Sequence, residues 1–224
     1  MKSLVIAPHP DDETLGCGGT LLRRKAEGGT IGWLLMTDLN KNWGWSDLLI
    51  SKRSDEIDQV RKFLGISKEH LYQLGFPTTR LDTIPTADLV SSISDVFKSF
   101  EPEELFLPHP GDIHSDHRIT FEAASACSKW FRYPSLKRIL AYETLSETDF
   151  GLVSSEIFRP NIFINIEPYF TDKLKLVDIY SSELGEFPFP RSHEAITALA
   201  KFRGASSGFK ESEAFELLRE RVSR

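Results

Sequence analysis

The sequence predicts an α/β fold in which a mostly parallel, Rossmann-like sheet is flanked by helices, with residues 1–224 forming a single domain. Short apolar runs alternate with amphipathic patterns of helical period, as is typical of parallel strands joined by crossover helices. Polar clusters follow two of the apolar runs directly, which is expected where ligands bind at the carboxyl ends of strands. The length of 224 residues suits one such domain with an ample core.

The elements follow from local patterns taken in chain order. Apolar runs bounded by turn residues predict strands at residues 4–7, 31–37, 71–74, 103–107, 138–143 and 158–166. Helical periodicity predicts helices at residues 14–26, 53–64, 85–97, 116–131, 168–180 and 193–202, followed by a polar tail. Gly28 and Gly65 end the first two helices, because glycine readily adopts the left-handed conformation found there. Residues 185–191 have prolines two apart, which predicts an irregular segment at the rim of a pocket.

Composition and charge exclude several classes of function. The chain has 27 Lys and Arg residues against 33 Asp and Glu, a net charge of −6, which gives little attraction for nucleic acid or an anionic membrane. Cys17 and Cys127 lack metal or disulfide spacing and are expected to be buried. The apolar stretch after Lys2 is too short for a signal or membrane segment, so we expect a soluble, cytoplasmic protein.

The first polar cluster follows the first strand and contains His9, Asp11, Asp12 and Glu13. Three neighbouring carboxylates repel one another, and a bound cation would relieve that repulsion. His9 and Asp12 are three residues apart, so both can face one ion from the turn into the helix. The alternative is a plain helix start, because acidic residues are favoured at helix N-termini by capping and by the macrodipole.

The second polar cluster follows the apolar run at residues 105–107. Three of the six histidines of the chain, His109, His114 and His117, lie within nine residues there, together with Asp112 and Asp116. Two clusters of complementary ligand types at strand ends predict a metal site at the carboxyl edge of the sheet. The spacing alone also allows His109 as a ligand in place of His114 or His117.

The two clusters together resemble the signature motifs of the LmbE-like / PIG-L family of zinc-dependent N-deacetylases. The matching segments are Pro-His-Pro-Asp-Asp-Glu at residues 8–13 and His-Ser-Asp-His at residues 114–117. Weaker matches extend along the chain and comprise Arg53 to Glu56, Arg203-Gly204, Gly208 and Glu213 to Phe215. The lack of a membrane segment disfavours a lipid-linked substrate of the kind that membrane-anchored members use.

The resemblance, together with the chemistry of the donor set, implies a role for each residue of the two motifs. His9, Asp12 and His117 would bind Zn²⁺ and leave an open position, as catalytic zinc sites do. Asp11 would be the general base for a metal-activated water. His114 would stabilise the oxyanion, and Asp116 would hold the His114 ring in orientation.

Substrate-binding residues are predicted from positions near the same edge of the sheet. The connection at residues 38–50 contains Trp43 and Trp45, which would stack on a sugar ring or else lie under the loop or in a subunit interface. Arg53 is expected at the start of the second helix, where family members place a substrate-contacting arginine. Tyr142 would line the pocket or pack in the core.

The resulting hypothesis is a hydrolase that removes an N-acetyl group from an amino sugar or an amino-sugar conjugate. An N-deformylase, another amidase acting on a sugar-derived metabolite, and a non-catalytic metal-binding or sugar-binding module are alternatives. Retention of Asp11 argues against the binding module, because binding needs no spare base.

Gly16, Gly18 and Gly19 do not form the dinucleotide motif and instead predict close packing of helix on sheet. A small-molecule partner is expected, and a homo-oligomer is left open.

Overall fold

Parallel strands form the larger part of one seven-stranded sheet. A computed structural model of the chain describes residues 1–222. The strands are β1 (Lys2–Ala7), β2 (Thr30–Asp38), β3 (Leu71–Pro77), β4 (Glu104–Pro108), β5 (Arg138–Tyr142), β6 (Ile162–Asn165) and β7 (Ser212–Glu220). Their order is β3-β2-β1-β4-β5-β7-β6, and β7 runs antiparallel to both of its neighbours. The predicted α/β fold with a mostly parallel sheet is confirmed.

Within the described residues, six α-helices cover the two faces of this sheet. They are α1 (Asp12–Ala26), α2 (Asp47–Leu64), α3 (Thr86–Phe100), α4 (Ser115–Ala126), α5 (Phe170–Ile179) and α6 (His193–Ser207). Along β1, Val5 and Ala7 face the core shared with α1, α2 and α5, whereas Leu4 and Ile6 face the core shared with α3 and α4. A strand buried on both faces explains the unbroken apolar run. None of these helices has the length and apolar character needed to cross a membrane.

The carboxyl ends of β1 and β4 lie side by side near the centre of the sheet. β1 pairs in parallel with β2 on one side and with β4 on the other. The chain first builds the sheet from β1 towards β3 and then resumes with β4 and β5 on the opposite side of β1. Such a reversal of strand order leaves a crevice in which open α/β sheets bind ligands. The two polar clusters begin at this crevice.

Several element boundaries differ from the prediction. α2 begins at Asp47 rather than at residue 53, because Ser46 caps it by accepting a hydrogen bond from the Leu49 amide at 3.3 Å. α4 ends at Ala126 rather than at residue 131, and β6 begins at Ile162 rather than at residue 158. The predicted functional loop at residues 38–50 is therefore partly helix.

The predicted polar tail is wrong, because it contains the end of a helix and a strand. α6 continues to Ser207 and ends at Gly208, whose φ of +80° is the left-handed conformation. β7 then inserts between β5 and β6. Only its first half is buried, and that half contains the charged residue Glu213, so the sequence has no strand-like alternation. Pairing with β5 and β6, and not the local sequence pattern, therefore makes this segment a strand.

Glu213 also completes α1, which is interrupted at Cys17. Cys17 has φ −144° and ψ 17°, outside the helical range, so the amides that follow lose their helical partners. The amides of Gly19 and Thr20 instead donate to the Glu213 carboxylate at 2.9 and 2.7 Å. Lys173 of α5 donates to the same carboxylate at 2.6 Å and balances its buried charge. α5 and β7 thereby hold α1 in its kinked form.

Two of the three glycines of α1 allow the close packing that the sequence predicted. A Cβ atom on Gly16 would lie 2.3 Å from Tyr142 Cδ2, and one on Gly19 would lie 2.8 Å from Ile166 Cγ2. A Cβ on Gly18 would be 3.6 Å from its nearest neighbour, which is ordinary van der Waals contact. Gly16 and Gly19 are thus required for the approach of the helix to the sheet, and Gly18 is not.

We expect Gly16→Ala to lower the free energy of unfolding by about 1–3 kcal/mol, because the added methyl group overpacks against the Tyr142 ring. Gly18→Ala is the matched control, and its unfolding free energy should stay equal or rise by up to about 1 kcal/mol through better helix propensity. Urea unfolding of both variants provides the measurement. Equal stability of the two variants would contradict the packing described for α1.

Candidate metal and active site

The first cluster is held in a turn between β1 and α1. The His9 amide donates to Asp12 Oδ2 at 2.8 Å, which closes the turn on itself. Thr37 at the end of β2 donates through both its amide and its hydroxyl to the Pro8 carbonyl, at 3.1 and 2.8 Å. Arg53 of α2 donates to the Pro10 carbonyl at 3.0 Å. The backbone that presents His9, Asp11 and Asp12 is therefore fixed by neighbours from β2 and α2.

Two histidines and a carboxylate converge where the two clusters meet. Asp12 Oδ2 lies 3.5 Å from His9 Nδ1 and 3.3 Å from His117 Nε2. Donor atoms of these three residues lie within 4.8 Å of one another. His9, His114 and Asp116 form a second such group that shares His9. His109 belongs to neither group.

Each imidazole of the first group has a buried carboxylate on its other nitrogen. His9 Nε2 lies 3.0 Å from Asp116 Oδ2, and His117 Nδ1 lies 2.8 Å from Asp112 Oδ2. This is the arrangement in which an outer carboxylate fixes the ring orientation of a metal-binding histidine. It leaves His9 Nδ1 and His117 Nε2 free to face the ion.

These contacts correct the role that we predicted for Asp116. Its carboxylate faces His9 and accepts hydrogen bonds from the Thr79 and Leu81 amides at 2.7 and 3.1 Å, so it does not orient the His114 ring. Asp112 was not among the predicted site residues. Its position five residues before His117, inside the second polar cluster, was the only signal in the sequence.

The pKa values of the first group show how strongly its members are coupled. Burial disfavours a charged His9 ring, but hydrogen bonds to Asp116 and Asp12 outweigh burial and raise the pKa of His9 to about 9. Burial likewise opposes the charged His117 ring, and the Asp12 charge with the Asp112 hydrogen bond raises its pKa to about 10. Burial alone would raise the pKa of Asp12, yet the two histidines hold this pKa well below its usual range. Without metal the imidazoles are therefore protonated at neutral pH.

Asp11 does not act as a side-chain helix cap in the described structure. Its Oδ2 accepts a hydrogen bond from Arg191 Nη1 at 2.7 Å instead. Its φ is +133°, which is strained for a residue with a side chain, and Glu13 supports this backbone by accepting from the Asp11 amide at 3.1 Å. Burial, with the neighbouring Asp12 charge, raises the pKa of Asp11 to about 7. Strain and burial at this position favour a functional role over capping.

His114 is poised to donate a hydrogen bond. Its Nδ1 accepts from the Asp116 amide at 3.1 Å, which places the proton of the neutral ring on Nε2. Burial, together with the charges of His9 and His117, lowers the pKa of His114 to about 4, so the ring is neutral. The Asp116 backbone, rather than its carboxylate, thus orients His114.

A cavity of about 330 Å³ opens beside this centre. Its lining includes His9, Asp11 and His114 together with Trp45, Leu49 and Arg53 of the α2 region. Trp45 and Leu49 supply apolar surface, and Arg53 lies one turn of helix further on. Arg191 also lines the cavity, and sequence analysis assigned it only to an irregular rim.

Trp43, Tyr142 and His109 lie outside this cavity. Trp43 is 46% exposed and its ring lies under the Arg80 guanidinium, 4.8 Å away. Tyr142 is 0% exposed and its hydroxyl donates to the Ile6 carbonyl at 2.9 Å, so the prediction that it binds substrate is replaced by a core role. His109 is buried, with Nδ1 accepting from the Gly111 amide.

The first group fits a zinc ion by its donor chemistry and by its unsatisfied polar atoms. Two imidazole nitrogens and one carboxylate are a donor set of catalytic zinc sites. Asp12 Oδ1 is buried and has no hydrogen-bond partner among residues 1–222. A buried acceptor without a partner is costly, and a cation would satisfy it. His9, Asp12 and His117 are therefore the residues that suit the metal.

Comparisons with known proteins assign the chain to a family. A family model described as PIG-L, GlcNAc-PI de-N-acetylase, matches residues 4–128, which include both polar clusters. The uncharacterized deacetylase YaiS of Escherichia coli K12 is 30% identical over 185 residues, covering 80% of this chain and 90% of that protein. The diacetylchitobiose deacetylase of Thermococcus kodakarensis is 26% identical, covering 97% and 83%. The crystal structure of the conserved protein TT1542 from Thermus thermophilus superimposes with a TM-score of 0.78 at 26% identity, covering 99% and 96%.

We expect His9→Ala and His117→Ala to lose bound zinc, because each removes one of three protein ligands. His193→Ala is the matched control, since His193 is half-exposed and pairs with Asp178 far along the chain from both motifs. The zinc content of the purified variants and of the control measures this loss. A full equivalent of zinc in either ligand variant would exclude the first group and make His114 the next candidate.

We expect zinc binding at pH 7 to release the protons of His9 and His117, because both pKa values lie above 7 in the metal-free protein. Zinc affinity should therefore rise with pH until these groups have lost their protons. Calorimetric titration in buffers of different ionisation enthalpy measures the number of protons released. Zinc binding without proton release at pH 7 would contradict the coupling described here.

Proposed function

Because the chain belongs to the PIG-L family, we propose that it is a zinc-dependent deacetylase that hydrolyses the N-acetyl group of an amino sugar or an amino-sugar conjugate. The observation that carries this proposal is the convergence of His9, Asp12 and His117 beside a spare carboxylate, Asp11, at the end of a cavity. The similarity to a diacetylchitobiose deacetylase over nearly the whole chain supports the substrate class.

Each residue of the site has a role in amide hydrolysis. Zinc, when bound by the three ligands, activates a water molecule and polarises the amide carbonyl. Asp11 removes the proton of the attacking water and delivers it to the departing amine. His114 Nε2 donates a hydrogen bond to the amide oxygen as negative charge develops there. Arg191 holds the Asp11 carboxylate in place at 2.7 Å.

The cavity wall supplies substrate binding. Arg53 lies in the wall, as expected from its position. Of the two tryptophans predicted to stack on a sugar, Trp45 lines the cavity and Trp43 does not, so Trp45 is the one that we propose as the sugar contact. The aromatic face of Trp45 and the side chain of Leu49 suit the apolar face of a pyranose ring. An N-deformylase would use the same residues and is the second candidate for the chemistry, whereas a binding module has no use for a strained, buried Asp11. The cytoplasmic location stays a prediction.

Acetate release by the zinc-loaded protein from a panel of N-acetyl amino sugars tests this function. Asp11→Asn should fold, keep zinc and lose kcat by at least about a hundredfold, because an amide cannot accept the proton of water. The acidic limb of kcat/KM should shift or vanish in this variant, since activity in the wild type falls as the base becomes protonated. Asp55→Asn, at an exposed position of α2, is the matched control.

Three outcomes would contradict the proposal in different ways. Wild-type turnover in Asp11→Asn would remove Asp11 from the mechanism. Release of formate from N-formyl sugars without release of acetate from N-acetyl sugars would favour the deformylase. Zinc binding without hydrolysis of any sugar in the panel would favour a binding module.

A further inference from the structure

Arg53, which lines the cavity, is surrounded by carboxylates. Its Nη2 donates to Glu183 Oε1, and its Nε lies 3.4 Å from Glu56 Oε2. Its Nη1 is used by the Pro10 carbonyl at 3.0 Å. Two nitrogens of this guanidinium group therefore donate hydrogen bonds within the protein, and the third faces a buried carboxylate. Lys52 lies 3.6 Å from Glu56 and adds little free positive charge.

Arg191, the second arginine of the cavity, has the same surroundings. Its Nη1 donates to Asp11 Oδ2 at 2.7 Å, and its Nη2 donates to Glu147 Oε1 at 3.3 Å. Glu183 Oε2 lies 3.7 Å from Nη1. Glu183 thus lies between the two arginines, with one carboxylate oxygen facing each of them.

Acidic groups consequently outnumber basic groups in the cavity wall. The lining contains five acidic residues, which are Asp11, Asp38, Glu56, Glu147 and Glu183. Against them stand four basic residues, His9, Lys52, Arg53 and Arg191, because the His114 ring is neutral. Arginine recognises phosphate and carboxylate groups through donors that are free to form paired hydrogen bonds. Here both arginines already donate to carboxylates of the protein, so an incoming anion would have to compete with Glu183 and Asp11 at short range. Like charges placed together in this way strongly disfavour a ligand.

Resting on the proposed deacetylase function, we propose that Glu183 is a specificity-determining residue that selects N-acetyl amino sugars with uncharged neighbouring groups and rejects phosphate or carboxylate conjugates. Glu183 suits this role better than Glu56. Its side chain is 33% exposed, on a short turn at Ser181–Glu183, whereas the Glu56 side chain is 5% exposed. Glu183 is therefore far more accessible to a bound substrate than Glu56 is.

The test compares a neutral and an anionic substrate at constant ionic strength. The neutral substrate is N,N′-diacetylchitobiose, the anionic one is N-acetylglucosamine 1-phosphate, and the enzyme is the zinc-loaded protein. We expect wild-type kcat/KM to be at least about tenfold higher for the neutral sugar. Glu183→Gln should reduce this ratio at least about fivefold, mainly by lowering KM for the phosphate. Glu186→Gln, an exposed glutamate three residues on, should leave the ratio unchanged.

A merely structural role for Glu183 gives a different result. If Glu183 only positions Arg53, the glutamine variant should change kcat/KM for both substrates by the same factor, and the ratio should stay constant. A constant ratio, or a wild-type preference for the phosphate, would overturn the inference while leaving the deacetylase function intact.

Failure of the proposed function is distinguishable from failure of this inference. If the wild type hydrolyses neither sugar but binds zinc, calorimetry of the two sugars with zinc-loaded wild type and Glu183→Gln replaces kinetics. Tighter binding of the phosphate by the variant, relative to the neutral sugar, would support charge selection by Glu183. Equal relative affinities in the two proteins would overturn it.

Discussion

Two buried contacts between a carboxylate and an imidazole determine the geometry of this site. Asp116 lies 3.0 Å from His9 Nε2, and Asp112 lies 2.8 Å from His117 Nδ1. Each contact fixes one ring and directs its other nitrogen towards Asp12. Removal of either aspartate would leave a buried, protonatable ring without its partner, which is costly in the interior. The ligand set depends on these two partners as much as on the ligands.

The scaffold brings these partners together through the order of its strands. His9 follows β1, while Asp112, Asp116 and His117 follow β4, and the two strands are neighbours although about a hundred residues separate them. The turn after β1 is held by Thr37 of β2 through the Pro8 carbonyl. A strained Asp11 backbone persists there because its surroundings determine its conformation, and its side chain lines the cavity.

The sequence predicted the fold, and it named the three candidate metal donors that the structure brings together, because both depend on local patterns. Strand-end clusters and the three-residue spacing of His9 and Asp12 are visible in one dimension. Arg191 is 180 residues from Asp11, and its contact depends on how the segment before α6 folds back, so local spacing contained no signal for it. Trp43 and Trp45 look equivalent in sequence. A 3-10 turn at Lys41–Trp43 separates them in the structure, where Trp43 contacts Arg80 and Trp45 lines the cavity. β7 was missed because its buried half contains an ionised residue whose partners, Lys173 and the α1 amides, are remote.

Anomalous diffraction at the zinc edge from crystals of the zinc-loaded protein tests the central claim most directly. We expect one zinc ion within about 2.0–2.2 Å of His9 Nδ1, an Asp12 oxygen and His117 Nε2, with Asp116 and Asp112 still on the opposite ring nitrogens. A zinc ion bound instead by His9 Nε2, His114 and Asp116 would contradict it, because the carboxylate described here as orienting His9 would then be a ligand.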